Sequence, residues 1–217
     1  MIMRKIALLT FCILLAACQS GNSQTNAHPN TSDAELKGLS KAYFASGCFW
    51  CVEAVFQSVE GVKEAISGYS GGDKKNPTYK EVSYGLTDHA EAVEVYYDPA
   101  VVSYETLLKV FFGSQDPTQV DRQGPDRGKQ YRSAVFYTSE KEKELAEAYI
   151  KQLESGEYKP GEIATEVTAF KSFWPAEDYH QEYESNHPEN PYVQSVSIPR
   201  LNRFKAKYPD LLKKDAH

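Results

Sequence analysis

The feature that most constrains this chain is the junction at Ser46-Gly47-Cys48, where an extended run gives way to a helical one. Lys41 to Ala45 is a short strand candidate. From Cys48 to Val59 the apolar residues Val52, Val55, Phe56 and Val59 recur at helical spacing, so Cys48 falls where a helix begins. Gly61 ends that helix, Val62 to Tyr69 reads as a strand, and Gly71-Gly72 opens a polar loop through Asn76-Pro77. Glu91 to Tyr97 alternates, with Glu91, Val93 and Val95 on one face and Glu94 and Tyr96 on the other. Ser103 caps a helix through Phe112, a turn-rich loop runs from Asp116 to Gly128, and Arg132 to Tyr137 is the next strand. The order β-α-β-β-α-β is the split βαβ arrangement of ferredoxin-like α+β folds, a two-layer core with both helices on one face of an antiparallel sheet. Beyond it, Ser139 with Glu142 predicts a capping box for a charged helix to about Ser155. Glu162 to Phe170 reads as a further strand and Pro175 to Ser185 as a short helix.

The N-terminal segment stands apart from this core. Arg4 and Lys5 precede an apolar run, Ile6 to Leu15, that is too short to span a bilayer, so residues 1–18 read as a signal segment. Leu15-Ala16-Ala17-Cys18 resembles the lipobox of bacterial lipoproteins, which implies acylation of Cys18. The expectation is a protein exported to the cell envelope and lipid-anchored to a bacterial membrane, with its domain on the periplasmic face. Residues 19–40, polar and without apolar periodicity for most of their length, read as a flexible tether. The catalytic domain is expected over 41–199, followed by a basic and aromatic tail over 200–217. With 24 Lys and Arg against 30 Asp and Glu the chain is net acidic, which disfavours nucleic acid as a partner. One such domain is expected to act as a monomer.

Of the four cysteines, Cys12 leaves with the signal segment and Cys18 is assigned to lipid, so the domain holds only Cys48 and Cys51. Three residues apart at a helix start, they face one side and lie within reach of a disulfide. Unpaired amides and the helix dipole are expected to lower the pKa of Cys48 and make it a nucleophilic thiolate. A zinc site would need a second ligand pair, and His180 and His187 lack the usual spacing. A structural staple would close a tiny loop and stabilise little. A thioredoxin-like oxidoreductase usually carries small residues or proline between its thiols, whereas here Phe49 and Trp50 stand there, as rings that bind sulfur and methyl groups well or as core packing.

The string Gly47-Cys48-Phe49-Trp50-Cys51-Val52-Glu53 resembles the signature of the A-type peptide methionine sulfoxide reductases. Four further stretches resemble the same family, in its order: Asn76-Pro77-Thr78-Tyr79, His89-Ala90-Glu91, Asp116-Pro117-Thr118-Gln119 with Arg122 through Ser133, and Ala176-Glu177-Asp178-Tyr179-His180-Gln181. The resemblance implies Cys48 as nucleophile, Cys51 as resolving thiol and Glu91 as acid. It further implies Tyr79 and Tyr131 as hydroxyl donors near the sulfoxide oxygen, Phe49 and Trp50 as the wall around the S-methyl group, and Asp126 as a further polar position. The substrate would be methionine S-sulfoxide, free or in proteins. No metal or organic cofactor is implied, and the reductant would be an external dithiol, a thioredoxin-like protein. The chemistry asks for these residue types independently: charge building on the sulfoxide oxygen must be met by a proton, which a buried glutamic acid flanked by phenols can donate.

The chain departs from the better-known family pattern after Tyr192, where there is no tail cysteine. A tyrosine that some relatives place just ahead of that cysteine falls at Gln194. Tyr192 can replace it only if the tail folds back over the cleft.

Overall fold

The computed structural model describes residues 33–214. The signal segment, Cys18 and the tether up to residue 32 lie outside the described residues. β1 (Ser40–Ser46), α1 (Phe49–Gln57), β2 (Val62–Ser70), α2 (Tyr79–Ser83), β3 (Ala90–Tyr97), α3 (Tyr104–Gly113) and β4 (Ser133–Tyr137) are followed by α4 (Glu140–Glu154), β5 (Glu166–Ala169), β6 (Phe173–Pro175) and α5 (Ile198–Lys207). These strands form one sheet in the order β5-β4-β1-β3-β2-β6. Its central four, β4-β1-β3-β2, are mutually antiparallel and form the ferredoxin-like core, with α1 and α3 on one face. β6 extends the β2 edge antiparallel and β5 pairs with β4 in parallel.

Alternation on the strands sorts the two faces. Phe44, Val93, Val95 and Val135 meet α1 and α3, and the Phe44 ring stacks with Phe56 and Phe111 at centroid distances of 5.0 and 5.2 Å. Tyr43, Ala45, Ala92, Ala134 and Phe136 point the other way, where Phe170 and Phe173 cover them. Every residue of β3 is consequently buried, including Glu91 and Glu94, so neither glutamate is a solvated strand residue. The cap at α4 is built by both expected residues: the Glu142 amide donates to Ser139 Oγ at 3.2 Å, while the Glu142 carboxylate takes the amide of Thr138, one residue earlier than a capping box uses.

Three expectations are corrected. Pro175 to Ser185 is not one helix: Pro175 ends β6, Asp178–His180 is a 3-10 turn, and Glu182 adopts the left-handed conformation at φ 51, which breaks the run. Residue 40 does not end a tether, because Leu36 is buried against Ile66 and Tyr96. Nor do the described residues of 200–217 form a separate tail. Arg200 lies inside α5, Phe204 is 1% exposed within the main core, and the Glu60 amide donates to Leu211 O at 2.8 Å. Periodicity was obscured there because α5 buries a narrow stripe under a face of lysine and arginine. Phe204→Ala should therefore destabilise the fold by about 3–5 kcal/mol in urea unfolding, as loss of a buried aromatic does; a change below about 1 kcal/mol would restore the separate tail.

Candidate active site

The strand-to-helix junction positions the thiols. β1 ends at Ser46, Gly47 turns the chain at φ +81, and a Cβ there would lie 2.6 Å from Gln123 Cβ, so only glycine fits. Cys48 is the N-cap of α1, with no side-chain capping bond, and Cys51 lies in the first turn. Both are free thiols and both are buried. β3 is antiparallel to β1 and β2, and it brings Glu91 beneath the start of α1, where the Phe49 amide donates to Glu91 Oε2 at 3.1 Å. Burial pushes the Glu91 carboxyl up to about 8, against the Phe49 bond that lowers it, with Asp126 and Cys51 raising it further.

Around this pair the aromatic residues assemble from distant segments. Trp50 stacks flat on Tyr183 at 3.7 Å, and its indole Nε1 donates to His180 Nδ1 at 3.1 Å. His180 is buried, and burial lowers its pKa to about 4, so it is neutral and free to accept that bond. Phe49 and Tyr79 lie 5.0 and 4.2 Å from the same imidazole. Tyr79 opens α2 and is held by Glu177, which takes the Tyr79 amide at 2.9 Å and the Tyr69 hydroxyl at 2.8 Å. The loop leading to it is pinned by buried His89, whose Nδ1 accepts from Gly72 N and whose Nε2 therefore donates to Lys74 O at 2.7 Å. Burial raises Tyr79 to about 12 and Tyr131 higher, with Glu91 and Cys48 adding to both, so the two phenols are protonated donors facing the thiol and the acid.

A two-residue ribbon, Arg122–Gln123 against Asp126–Arg127, carries Asp126 to a groove that Cys51 also lines. The chain after Asn190 does fold back: Tyr192 Oη donates to Asp126 Oδ2 at 2.6 Å and lies 3.8 Å from Cys51 Sγ, while Gln194 is exposed. The structure thus brings together Cys48, Cys51, Phe49, Trp50, Tyr79, Glu91, Asp126 and Tyr131. It adds Tyr192, which the sequence made conditional, and the Trp50–His180 bond, for which only the His in Asp178-Tyr179-His180 gave a signal. Cys18 lies outside the described residues. Among those residues no group of three or more His, Cys, Asp or Glu side chains is placed to hold a metal ion.

The expected thiolate at Cys48 is corrected. Burial pushes the Cys48 thiol well up, and its hydrogen bond to Cys51 and the nearby Glu91 and Asp126 raise it further. The first amide of the helix is already committed to Glu91, which leaves the dipole less to offer. Cys51 is instead lowered to about 7, first by the Cys48 hydrogen bond and then by Arg200, Ser197 and Tyr192, against its own burial. Of the two, the surroundings disfavour an anion on Cys48 more than on Cys51, which has Arg200, Ser197 and Tyr192 about it.

A peptide methionine sulfoxide reductase family model matches residues 40–212. The chain belongs to that family. It is 51% identical over 185 residues to peptide methionine sulfoxide reductase MsrA 2 of Synechocystis, covering 85% of this chain and 86% of that one. It is 48% identical over 172 residues to the MsrA of Thermus thermophilus, covering 79% and 97%. The solved methionine sulfoxide reductase A of Corynebacterium diphtheriae superposes with a TM-score of 0.64 at 35% identity, covering 71% of this chain and 77% of that one. Reduced Mxr1 of Saccharomyces cerevisiae gives the same TM-score at 31% identity, covering 70% and 87%. The chain is thus a methionine sulfoxide reductase of the A type, with an α+β fold shared by its solved relatives.

In this reductase a second carboxyl, Glu53, is also buried and raised to about 8 by desolvation, against hydrogen bonds from Ser67 Oγ and the Glu182 amide. Glu53 and Glu91 both bind protons more tightly folded than unfolded. Their stabilisation is complete below the unfolded carboxyl pKa of about 4.3 and is lost as pH rises through about 8. The melting temperature should accordingly fall between about pH 5 and 8, with a shallower slope in Glu53→Gln; an equal slope in that variant would show the carboxyl to be ionised in the native state.

Proposed function

We propose that the enzyme reduces the S epimer of methionine sulfoxide through a sulfenic acid at Cys48 and a Cys48–Cys51 disulfide. The observation that carries this reading is Glu91: a carboxyl 1% exposed, held up to about 8, bonded to the amide of the residue that follows Cys48. A neutral carboxylic acid there is a proton donor at physiological pH.

The sulfoxide S-methyl group would lie against Phe49 and Trp50, with the oxygen toward Glu91, Tyr79 and Tyr131. As Cys48 sulfur attacks the sulfoxide sulfur, its proton passes to Cys51, and Glu91 protonates the developing oxyanion. Transfer of the oxygen to Cys48 releases methionine and leaves Cys48 as a sulfenic acid. Cys51 then attacks Cys48, water leaves, and the disulfide is returned to two thiols by an external dithiol, for which a thioredoxin-like protein is the proposed donor.

Turnover of the two epimers of a blocked methionine sulfoxide, with a small dithiol as reductant, tests this. The S epimer alone should be consumed, Cys48→Ser should abolish the reaction, and Glu91→Gln should slow it by at least ~100-fold, the size of a general-acid contribution. The rate should also fall above about pH 8, where Glu91 ionises. Consumption of both epimers, or full activity in Glu91→Gln, would overturn the reading.

The sequence of residues 1–18 supports a second proposal: the enzyme is exported, anchored by lipid at Cys18, and repairs oxidised proteins of the bacterial envelope at the periplasmic face. Arg4, Lys5, the apolar run and the Leu15-Ala16-Ala17-Cys18 string are its support. Cys18→Ala should move the protein from the membrane fraction to the soluble one; membrane retention in that variant would exclude the anchor.

A further inference from the structure

α5 carries a buried cation to the thiols. Arg200 is 7% exposed, and each of its three nitrogens donates to an uncharged oxygen: Nη1 to Ser46 O, Nη2 to Ser46 Oγ and Nε to Ser114 O, all at 2.8 Å. A buried guanidinium is ordinarily held by a carboxylate. Here Asp126 and Glu184 feel its charge, but no ion pair to Arg200 is formed among the described residues, and the Asp126 carboxylate already takes the Tyr192 hydroxyl. Arg200 and Cys51 line one groove of about 350 Å³, together with Gly124, Asp126, Val196 and Arg203. The charge is thus uncompensated by contact and placed beside the resolving thiol, while the fork spans the end of β1 that leads into Gly47 and Cys48.

We propose that Arg200 is a positioning residue for the second half-reaction, holding Cys51 as the thiolate that resolves the Cys48 sulfenic acid and holding the turn that carries Cys48. The inference rests on the reading that Cys48 is oxidised first. In this step the Cys51 thiolate attacks Cys48 sulfur, the S–S bond forms, and the S–O bond breaks. Hydroxide departs and takes up the proton that Cys51 released, giving water; Cys51 is oxidised and the Cys48 sulfur reduced.

The electrostatics of this step differ from those of the resting pair. Cys51 faces Cys48 and Glu91 across the turn, Asp126 and Tyr192 on the ribbon side, and Ser197, Arg200 and Arg203 from the C-terminal segment. In the resting enzyme the Cys48 thiol is the largest influence favouring the Cys51 anion. Once Cys48 is a sulfenic acid that thiol is gone, burial opposes the anion, joined by Asp126 and an ionised Glu91, and Arg200 is the buried cation that sustains it, helped by the Ser197 and Tyr192 hydroxyls.

The experiment separates the half-reactions in the full chain by rapid quench, reading the methionine burst for the first and the loss of free thiols for the second, from about pH 6 to 9. Arg200→Gln should slow disulfide formation ~10-fold at neutral pH, as expected if the thiol pKa rises by about one unit, and should slow the burst by a smaller factor, because the Cys48 thiol still favours the Cys51 anion in the first half-reaction. The deficit should close toward pH 9, and Arg200→Lys, which keeps the charge, should retain most of the rate. A second measurement needs no change at Arg200: in Cys48→Ala, alkylation of Cys51 should show a midpoint below the ordinary thiol value of about 8.5. Unchanged disulfide formation, an equal fall of both half-reactions in the Gln and Lys variants, or an alkylation midpoint at or above that value would overturn the inference. A methionine burst in Cys48→Ser would instead overturn the reading on which it rests.

Discussion

The bond from the Phe49 amide to the Glu91 carboxyl is the contact on which the rest of the site depends. It joins the first turn of α1 to the central strand β3, and so fixes the separation between thiol and acid by the register of the sheet. A strand buried along its whole length keeps water from that carboxyl, and the desolvation that costs stability is what leaves it protonated. Acid strength and fold stability are therefore set by the same burial, and Glu53, on the buried side of that helix, shares the cost while anchoring the segment behind His180.

Much of the architecture was legible because its signals are local. Period-2 alternation in Glu91 to Tyr97, helical spacing from Cys48 and the Ser103 cap were enough to order the core elements, and the β4-β1-β3-β2 topology follows from that order. Misreadings fell where tertiary contact overrides local preference. Pro175 to Ser185 has helical composition, yet β2 takes Pro175 as the last residue of the edge strand β6, and Gln181 is fastened to Ser67 through its side chain. α5 looks like a basic tail because only its Arg200 and Phe204 side are covered.

The site was legible as a set of motifs, and the structure draws those motifs to one place. The ionisation of the thiols was not legible. A helix start suggests a thiolate, but a short helix whose leading amide is committed elsewhere, under a fully buried cysteine beside two carboxyls, reverses the sign. Tyr192 was legible only as a condition and Arg200 not at all, for a related reason: both lie in a segment that has no local signature, and their meaning depends on the chain returning to the ribbon at Asp126.

Both thiols ride on one turn of one helix, pinned at Gly47 by the close approach of Gln123 and at Ser46 by Arg200. On the proposed route the disulfide would close within that turn, and no distant segment of the chain would have to travel to the sulfenic acid.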